Sequence, residues 1–220
     1  MRPNTQLFLI GLSGLLAIIF HFLNFSIGFY VTKPLTTLLI LGFPLRFPND
    51  LLKDYSRIIC WGLLCCLIGD SLLLFDSFLL FDSFFLFGLS SFLLGHLCFL
   101  YAFVRQQGFQ WPLVPGVLLI GFAVAIILLC YDNLGALFIP VLLYISVILM
   151  MSWQGIALQR NNYNVSSRHI GWAVVLFLLS DAILALDKFY IPFAYSGVLI
   201  LSTYWMAITI IAFSGSSEMK

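Results

Sequence analysis

Long apolar segments alternate with short polar breaks along almost the whole chain. Each segment has about 20 residues, which is the length at which an α-helix crosses a hydrocarbon core of about 30 Å. The segments are continuous apolar runs and lack the strict alternation of membrane β-strands. Since lipid offers no hydrogen-bond partners to the backbone, the pattern predicts an all-α, polytopic transmembrane bundle.

Breaks at glycine, proline and charged residues divide the chain into eight predicted spans. They are Leu7–Phe25, Ile27–Phe43, Tyr55–Phe75, Ser83–Val104, Trp111–Tyr131, Leu134–Gln154, Arg168–Leu186 and Pro192–Phe213. No stretch has the composition of a soluble domain, so residues 1–220 are expected to form a single transmembrane domain. The first two spans are so close together that a tight turn is required around Asn24.

Composition and charge agree with a membrane protein and argue against a nucleic-acid partner. Hydrophobic residues make up 62% of the chain and charged residues only 9%, whereas soluble domains carry about 25% charged residues. The net charge is +1 and no basic cluster is present. If the N-terminus is cytoplasmic, eight of the ten basic residues fall on the cytoplasmic side. We therefore expect an integral protein of the cell (inner) membrane with both termini in the cytoplasm.

A short internal similarity suggests that the bundle is built from two related halves. The stretch Gly69–Phe78 matches Ser180–Phe189, and an aspartate in each stretch, Asp70 and Asp181, aligns. The offset between these two aspartates maps the third predicted span onto the seventh. This favours a four-plus-four parallel repeat, a form of internal symmetry common in membrane proteins.

Four ionisable residues lie within predicted spans, namely Lys33, Asp70, His96 and Asp181. Such residues are costly in lipid and usually face the interior of the bundle, which makes each a candidate for function. At a rise of about 1.5 Å per residue, Lys33, Asp70 and Asp181 are expected at nearly one depth in the outer half of the membrane. His96 is expected nearer the inner half.

Two carboxyls and one ammonium at a common depth suit acid–base chemistry. An isolated carboxylate in hydrocarbon takes up a proton, while a lysine nearby keeps a second carboxylate charged. The pair would then supply one proton donor and one base, as acid–base hydrolysis requires. Lys33 also suits an anionic headgroup, although it can instead extend to the interface. Tyr204 lies too deep for an interfacial residue and is expected to line the same site.

Other functions use similar residues and remain open at this stage. A small transporter or a lipid-binding protein would need the same intramembrane charges, and the aspartates could also be purely structural. A zinc site needs about three ligands, and only a mixed site of two aspartates and His96 comes near that number. No Gly-x-Ser-x-Gly elbow is present for a serine hydrolase. We expect no metal and no cofactor.

Several motifs together resemble the YhhN-like lysoplasmalogenase family. They are Lys33–Thr37, Gly69–Leu74, the pattern Gly88-x-x-x-Phe92-x-x-Gly95-His96-x-x-x-x-Tyr101, Ser180–Ala185 followed by Phe189, and the region of Tyr204. They occur in the order typical of that family and span most of the chain. The resemblance implies an eight-span integral membrane hydrolase.

The resemblance also implies a substrate and implies that Asp70 and Asp181 are the family's important acidic pair; from the chemistry of that substrate we expect the roles of the individual residues. The enzyme would cleave the vinyl ether bond of a lysoplasmalogen to a fatty aldehyde and a glycerophospho-choline or -ethanolamine. Asp70 and Asp181 would be the catalytic acid and base, with the two roles not assigned between them. Lys33, His96 and Tyr204 would bind the substrate, with Lys33 at its phosphate. Headgroup preference, leaflet of entry and oligomeric state stay open.

Overall fold

A computed structural model describes residues 2–48, 52–79, 82–161 and 167–216, and in these ranges the chain forms eight α-helices. They are α1 (Pro3–Phe22), α2 (Ser26–Arg46), α3 (Lys53–Leu79), α4 (Asp82–Gln107), α5 (Leu113–Leu134), α6 (Phe138–Arg160), α7 (Ile170–Phe189) and α8 (Ser196–Ser214). The expected all-α membrane architecture is confirmed, and each helix coincides with one predicted span over most of its length.

Seven segments of the described chain are long and apolar enough to cross a membrane. The fifth segment, Leu113–Arg160, has 48 residues and contains both α5 and α6, separated by a 3-10 turn at Gly135–Leu137. Hydrogen bonds from the Trp153 indole to the Pro112 carbonyl (3.0 Å) and between Gln154 and Gln110 join the end of α6 to the start of α5. The two helices are therefore antiparallel, and the segment crosses twice.

The helix ends lie at residues that tolerate unusual backbone angles. Asn24, in the short connection between α1 and α2, has a φ of 54°, and asparagine is one of the few non-glycine residues that adopts this conformation readily. Gly108 follows the last residue of α4 with a φ of 72°, as is common for a glycine that ends a helix. The tight turn expected around Asn24 is thus present.

Small residues let α3 and α4 pack closely between Gly62 and Gly69 of α3 and the facing residues of α4. A Cβ atom on Gly95 would lie 3.1 Å from the carbonyl oxygen of Gly62, and one on Gly69 would lie 2.7 Å from the Phe92 ring. The Ser91 hydroxyl also donates to the Cys65 carbonyl at 2.8 Å. Close backbone approach and interhelical hydrogen bonds are the usual means of helix association in lipid. This packing fixes the height of Asp70, which directly follows Gly69.

The helices repeat in the way that the internal similarity predicts. When α1–α4 are shifted along the chain by the offset between Asp70 and Asp181, each helix overlaps its counterpart among α5–α8 along most of its length. Packing between the halves follows the same relation: α4 contacts α6, and their counterparts α8 and α2 contact each other. The repeat thus places Asp70 on the third helix of the first half and Asp181 on the third helix of the second half.

Candidate active site

A cavity of about 420 Å³ lies within the bundle, towards the end where the odd-numbered helices finish and the even-numbered ones begin. All eight helices contribute to its walls, which are mainly apolar. The apolar residues of the walls include Leu73, Phe85, Phe92, Phe122, Ile148 and Leu201. Lys33, Asp70, Asp181 and Tyr204 line the same cavity. The structure thus brings together four of the five residues that the sequence indicates as the site.

Asp70 is held by side chains from two neighbouring helices. It is 2% exposed, and its Oδ2 accepts hydrogen bonds from the Thr37 hydroxyl (2.6 Å) and the Tyr204 hydroxyl (2.9 Å). The Lys33 ammonium lies 3.7 Å from its Oδ1. Hydrogen-bond donors and a cation both favour the charged form of a carboxyl group. These contacts favour the charged form of Asp70 and oppose the cost of burying it.

Asp181 has a different environment. Its Oδ2 accepts a hydrogen bond from the Tyr144 hydroxyl at 2.5 Å, and it forms no ion pair with any residue that the structure describes. The carboxyl group is partly exposed to the cavity, whose walls are mostly apolar. A carboxyl group without a cation beside it, in apolar surroundings, is more stable in its neutral form.

The partners of the two aspartates occupy equivalent positions of the two halves. Lys33 on α2 and Tyr144 on α6 are separated along the chain by the same offset as Asp70 and Asp181. In each half, the second helix thus presents a side chain to the aspartate of the third helix. That side chain is a cation in the first half and a neutral hydroxyl in the second. Equivalent positions of the two halves therefore differ in charge, one being positive and the other neutral.

Tyr204 and Trp205 on α8 complete the surroundings of Asp70. The Trp205 indole donates to the Thr37 hydroxyl at 3.3 Å, so that Thr37 both accepts from Trp205 and donates to Asp70. The Tyr204 ring packs edge-on against Phe92 and Phe177. Aromatic packing and hydrogen bonding together fix the direction of the Tyr204 hydroxyl.

His96 lies beside the cavity residues but is not part of the cavity wall. It is fully buried and packs edge-on against Tyr144 and Phe177, with ring centroids 5.2 Å and 4.6 Å away. No described residue forms a hydrogen bond with either ring nitrogen. In this position His96 supports the ring of Tyr144, and its predicted contact with substrate stays a prediction.

Three further residues of the site are absent from the set indicated by the sequence. Thr37 lies one helical turn after Lys33, and Tyr144 could have been found from the offset between the aspartates. His21 lies in the last turn of α1 and lines the cavity with Lys33; the tight turn between α1 and α2 was the available signal, since it places the end of α1 beside the start of α2. Asp187 and Lys188 also lie on the wall.

In the ranges that the structure describes, no three histidine, cysteine, aspartate or glutamate side chains are grouped so as to hold a metal ion.

Comparison with known protein families gives a match to one family model. The model of the YhhN family matches residues 28–215, a range that includes Lys33, Asp70, Asp181 and Tyr204. No solved structure matches the chain.

Three similar curated proteins carry the name lysoplasmalogenase. TMEM86B of Homo sapiens is 29% identical over 165 residues, which cover 73% of this chain and 64% of that protein. TMEM86A of Bos taurus is 34% identical over 179 residues, covering 79% and 69%. TMEM86B of Sus scrofa is 30% identical over 169 residues, covering 76% and 66%. The matched stretch thus spans about two thirds of the length of these relatives. In the human TMEM86B it covers 64%, which is less than two thirds.

Proposed function

The chain belongs to the YhhN family, and from this we propose that it is a membrane hydrolase of the lysoplasmalogenase type. Its similar curated relatives carry that name. The substrate is a lysoplasmalogen, and hydrolysis of its vinyl ether bond releases a fatty aldehyde and a glycerophospho-choline or -ethanolamine. The observation that carries the proposal is the pair of differently surrounded aspartates, Asp70 and Asp181, on one apolar cavity.

Asp181 is the general acid in this proposal. Hydrolysis of a vinyl ether begins when a proton is added to the carbon–carbon double bond, which leaves an oxocarbenium ion. The donor must be a neutral carboxylic acid, as it is in glycosidases. Asp181 suits this role because the described residues provide it with the Tyr144 hydroxyl and no cation.

Asp70 is the carboxylate that stabilises the oxocarbenium ion and accepts a proton from the attacking water. Lys33, Thr37 and Tyr204 favour its charged form. The water oxygen bonds to the cationic carbon and forms a hemiacetal. As the hemiacetal collapses, its hydroxyl proton returns to Asp181, and the proton on Asp70 passes to the departing glycerol oxygen. Both aspartates regain their starting states, and the net change is the addition of one water.

The walls of the cavity suit the rest of the substrate. The apolar residues of the cavity accommodate the alkenyl chain of the substrate. The Lys33 ammonium can contact the substrate phosphate while it stays near Asp70, because an ammonium group has three donors. Tyr204 orients Asp70, and His96 supports Tyr144, which orients Asp181.

The experiment that tests the function follows aldehyde release by the purified protein from a lysoplasmalogen. Asp70→Asn and Asp181→Asn are each expected to lower the rate about 100-fold or more, the usual effect of losing a general acid or base. Asp54→Asn is the matched control, since Asp54 is exposed and pairs with Arg105 outside the cavity. A wild-type protein that binds the lipid without releasing aldehyde would favour a lipid-binding or transport function instead.

The assignment of roles has a separate test. Dicyclohexylcarbodiimide reacts with protonated carboxyl groups in apolar surroundings, and mass spectrometry locates the adduct. Asp181 is expected to react and Asp70 to be protected. Modification of Asp70 alone would reverse the assignment, and Lys33→Met is expected to make Asp70 reactive because it removes the cation.

The proposed orientation has both termini in the cytoplasm and the cavity end of the bundle towards the outside. It rests on the basic residues, most of which then lie on the cytoplasmic side. Alkaline phosphatase, which is active only outside, is expected to be active when fused after Asn24 and inactive when fused after Gly108. The reverse pattern would contradict the orientation.

A further inference from the structure

His21 occupies a space beside the first turn of α8 that a glycine leaves free. Its imidazole lies so close to Gly197 that a Cβ atom added there would be 2.1 Å from Nε2. The ring also packs against Phe29 of α2, with centroids 5.0 Å apart. Both His21 and Gly197 line the cavity. The imidazole thus reaches the cavity only because residue 197 has no side chain.

Lys33 follows Phe29 by four residues and therefore lies on the same face of α2, one helical turn further into the bundle. His21 packs on Phe29, and Lys33 lies 3.7 Å from the Asp70 carboxylate. The order from the helix ends inwards is accordingly His21, then Lys33, then Asp70. Phe29 and Lys33 are about 6 Å apart along α2, at a rise of about 1.5 Å per residue, and the Lys33 ammonium reaches the level of the Asp70 carboxylate.

We propose that His21 and Lys33 together bind the phosphate of a lysophospholipid headgroup at the rim of the cavity, where the absence of a side chain at Gly197 leaves room for the His21 imidazole. The proposal rests on the proposed function for the identity of the lipid. A phosphodiester has two non-bridging oxygens, and the imidazole N–H and the ammonium each supply a donor to them. This leaves the apolar part of the cavity to the hydrocarbon chain.

The spacing agrees with the substrate's structure. In a lysophospholipid the chain's ether oxygen and the phosphate are at opposite ends of the three-carbon glycerol. A phosphate bound between His21 and Lys33 places the ether oxygen about one helical turn deeper, near the level of Asp70. The lipid therefore lies with its headgroup at the helix ends and its reactive bond at the aspartates.

The test measures binding of a saturated alkyl-ether lysophosphatidylcholine, which has no double bond and cannot be cleaved. The full-length protein is placed in nanodiscs, and the lipid is radiolabelled. His21→Ala and Gly197→Ala are each expected to weaken binding about tenfold or more, as for the loss of one hydrogen bond to a charged group. The double variant is expected to be no weaker than either single one, since both changes remove the same contact.

Matched controls separate this contact from general effects of the substitutions. His169→Ala removes an exposed histidine that does not line the cavity, and Gly11→Ala adds a methyl group in α1 where nothing lies within 4 Å. Both are expected to bind the lipid normally. An alkylglycerol without phosphate is expected to bind the His21 and Gly197 variants as tightly as the wild type. Unchanged lysolipid binding, or equal losses for the alkylglycerol, would overturn the proposal.

Soluble competitors distinguish a lipid headgroup from free phosphate. Glycerophosphocholine is expected to displace the lysolipid at lower concentrations than inorganic phosphate does. Displacement by inorganic phosphate alone would assign the residues to a free-phosphate site and contradict the headgroup assignment. Since the binding assay needs no catalysis, a protein that binds the analogue through His21 yet releases no aldehyde would refute only the proposed hydrolysis.

Discussion

Differences between equivalent residues give the two aspartates their separate properties. The second helix of the first half presents Lys33 to Asp70, whereas the corresponding helix of the second half presents Tyr144 to Asp181. A cation stabilises a carboxylate more than a neutral hydroxyl does. The difference between Lys33 and Tyr144 at related positions thus gives the two aspartates different electrostatic surroundings, to which Thr37 and Tyr204 add at Asp70.

The two tyrosine hydroxyls are predicted to have unequal importance for activity. Tyr144→Phe removes the hydrogen bond that the structure describes for Asp181, while Tyr204→Phe leaves Asp70 with Thr37 and Lys33. We expect kcat for aldehyde release to fall about tenfold or more in Tyr144→Phe and by less in Tyr204→Phe. Equal losses in the two variants would show that the remaining partners of Asp70 do not compensate.

His96 is predicted to be costly to the stability of the fold. Its ring nitrogens have no partner among the described residues, and a buried polar group without a hydrogen bond costs about 1–3 kcal/mol. His96→Leu is expected to leave the midpoint of thermal unfolding in detergent equal or higher. Ser152→Ala, at a second buried group without a partner, is the matched comparison. A large drop in the midpoint for His96→Leu alone would indicate that the imidazole is hydrogen-bonded in the protein.

Part of the site was predictable from the sequence because the position of a residue in its span gives its depth in the membrane. Counting residues from the ends of the spans puts Lys33, Asp70 and Asp181 at one level, and all three line the cavity. The depth of a residue in the membrane does not show which residues of other helices it contacts. Thr37 and Tyr144 were missed because they are polar residues without charge, and their roles depend on which helix faces which.

At the scale of the elements, the α3–α4 pair is the most closely packed contact that bears on the site. Glycines at 62 and 69 on α3 and at 88 and 95 on α4 recur every seven residues and lie at the contact between the two helices. Apolar periodicity predicted both helices but could not predict their separation, which depends on the absence of side chains at these four positions. The distance between α3 and α4 in turn determines where Asp70 lies.

Gly95→Ala is predicted to destabilise the protein. The added methyl group would lie 3.1 Å from the Gly62 carbonyl oxygen, and the backbone there cannot move without separating the helices. Overpacking of this kind costs about 1–3 kcal/mol. The midpoint of thermal unfolding is therefore expected to fall. Gly121→Ala is the control, since nothing lies within 4 Å of its added methyl group, and an equal fall there would refute the explanation.

At the scale of the whole molecule, the site depends on how the two four-helix halves pack against each other. The first half carries Lys33 and Asp70, and the second carries Tyr144, Asp181 and Tyr204. The short match around the aspartates was enough to suggest the repeat. The packing of the halves could not be derived from it, because hydropathy gives the number and direction of spans but not their neighbours. The cavity exists only where the halves meet.

Neither half is predicted to be active alone, whereas the two halves expressed together are predicted to release aldehyde. The chain would be divided in the connection between α4 and α5, as residues 1–109 and 110–220. Contacts of α4 with α6 and of α2 with α8 hold the halves together. When the first fragment carries Asp70→Asn, the two fragments together are expected to release no aldehyde. Activity in a single fragment would contradict a site shared between the halves.

The polar rim and apolar interior of the cavity have a consequence for the fate of the products. The proposed cleavage at the level of the aspartates would divide an amphiphile into one water-soluble and one oil-soluble piece. The glycerophosphodiester would leave past His21, near the end of α1, and the aldehyde would remain in the hydrocarbon phase. Because the two pieces partition into different phases, they do not meet again at the site. The proposed site would therefore release each product into the phase in which that product is soluble.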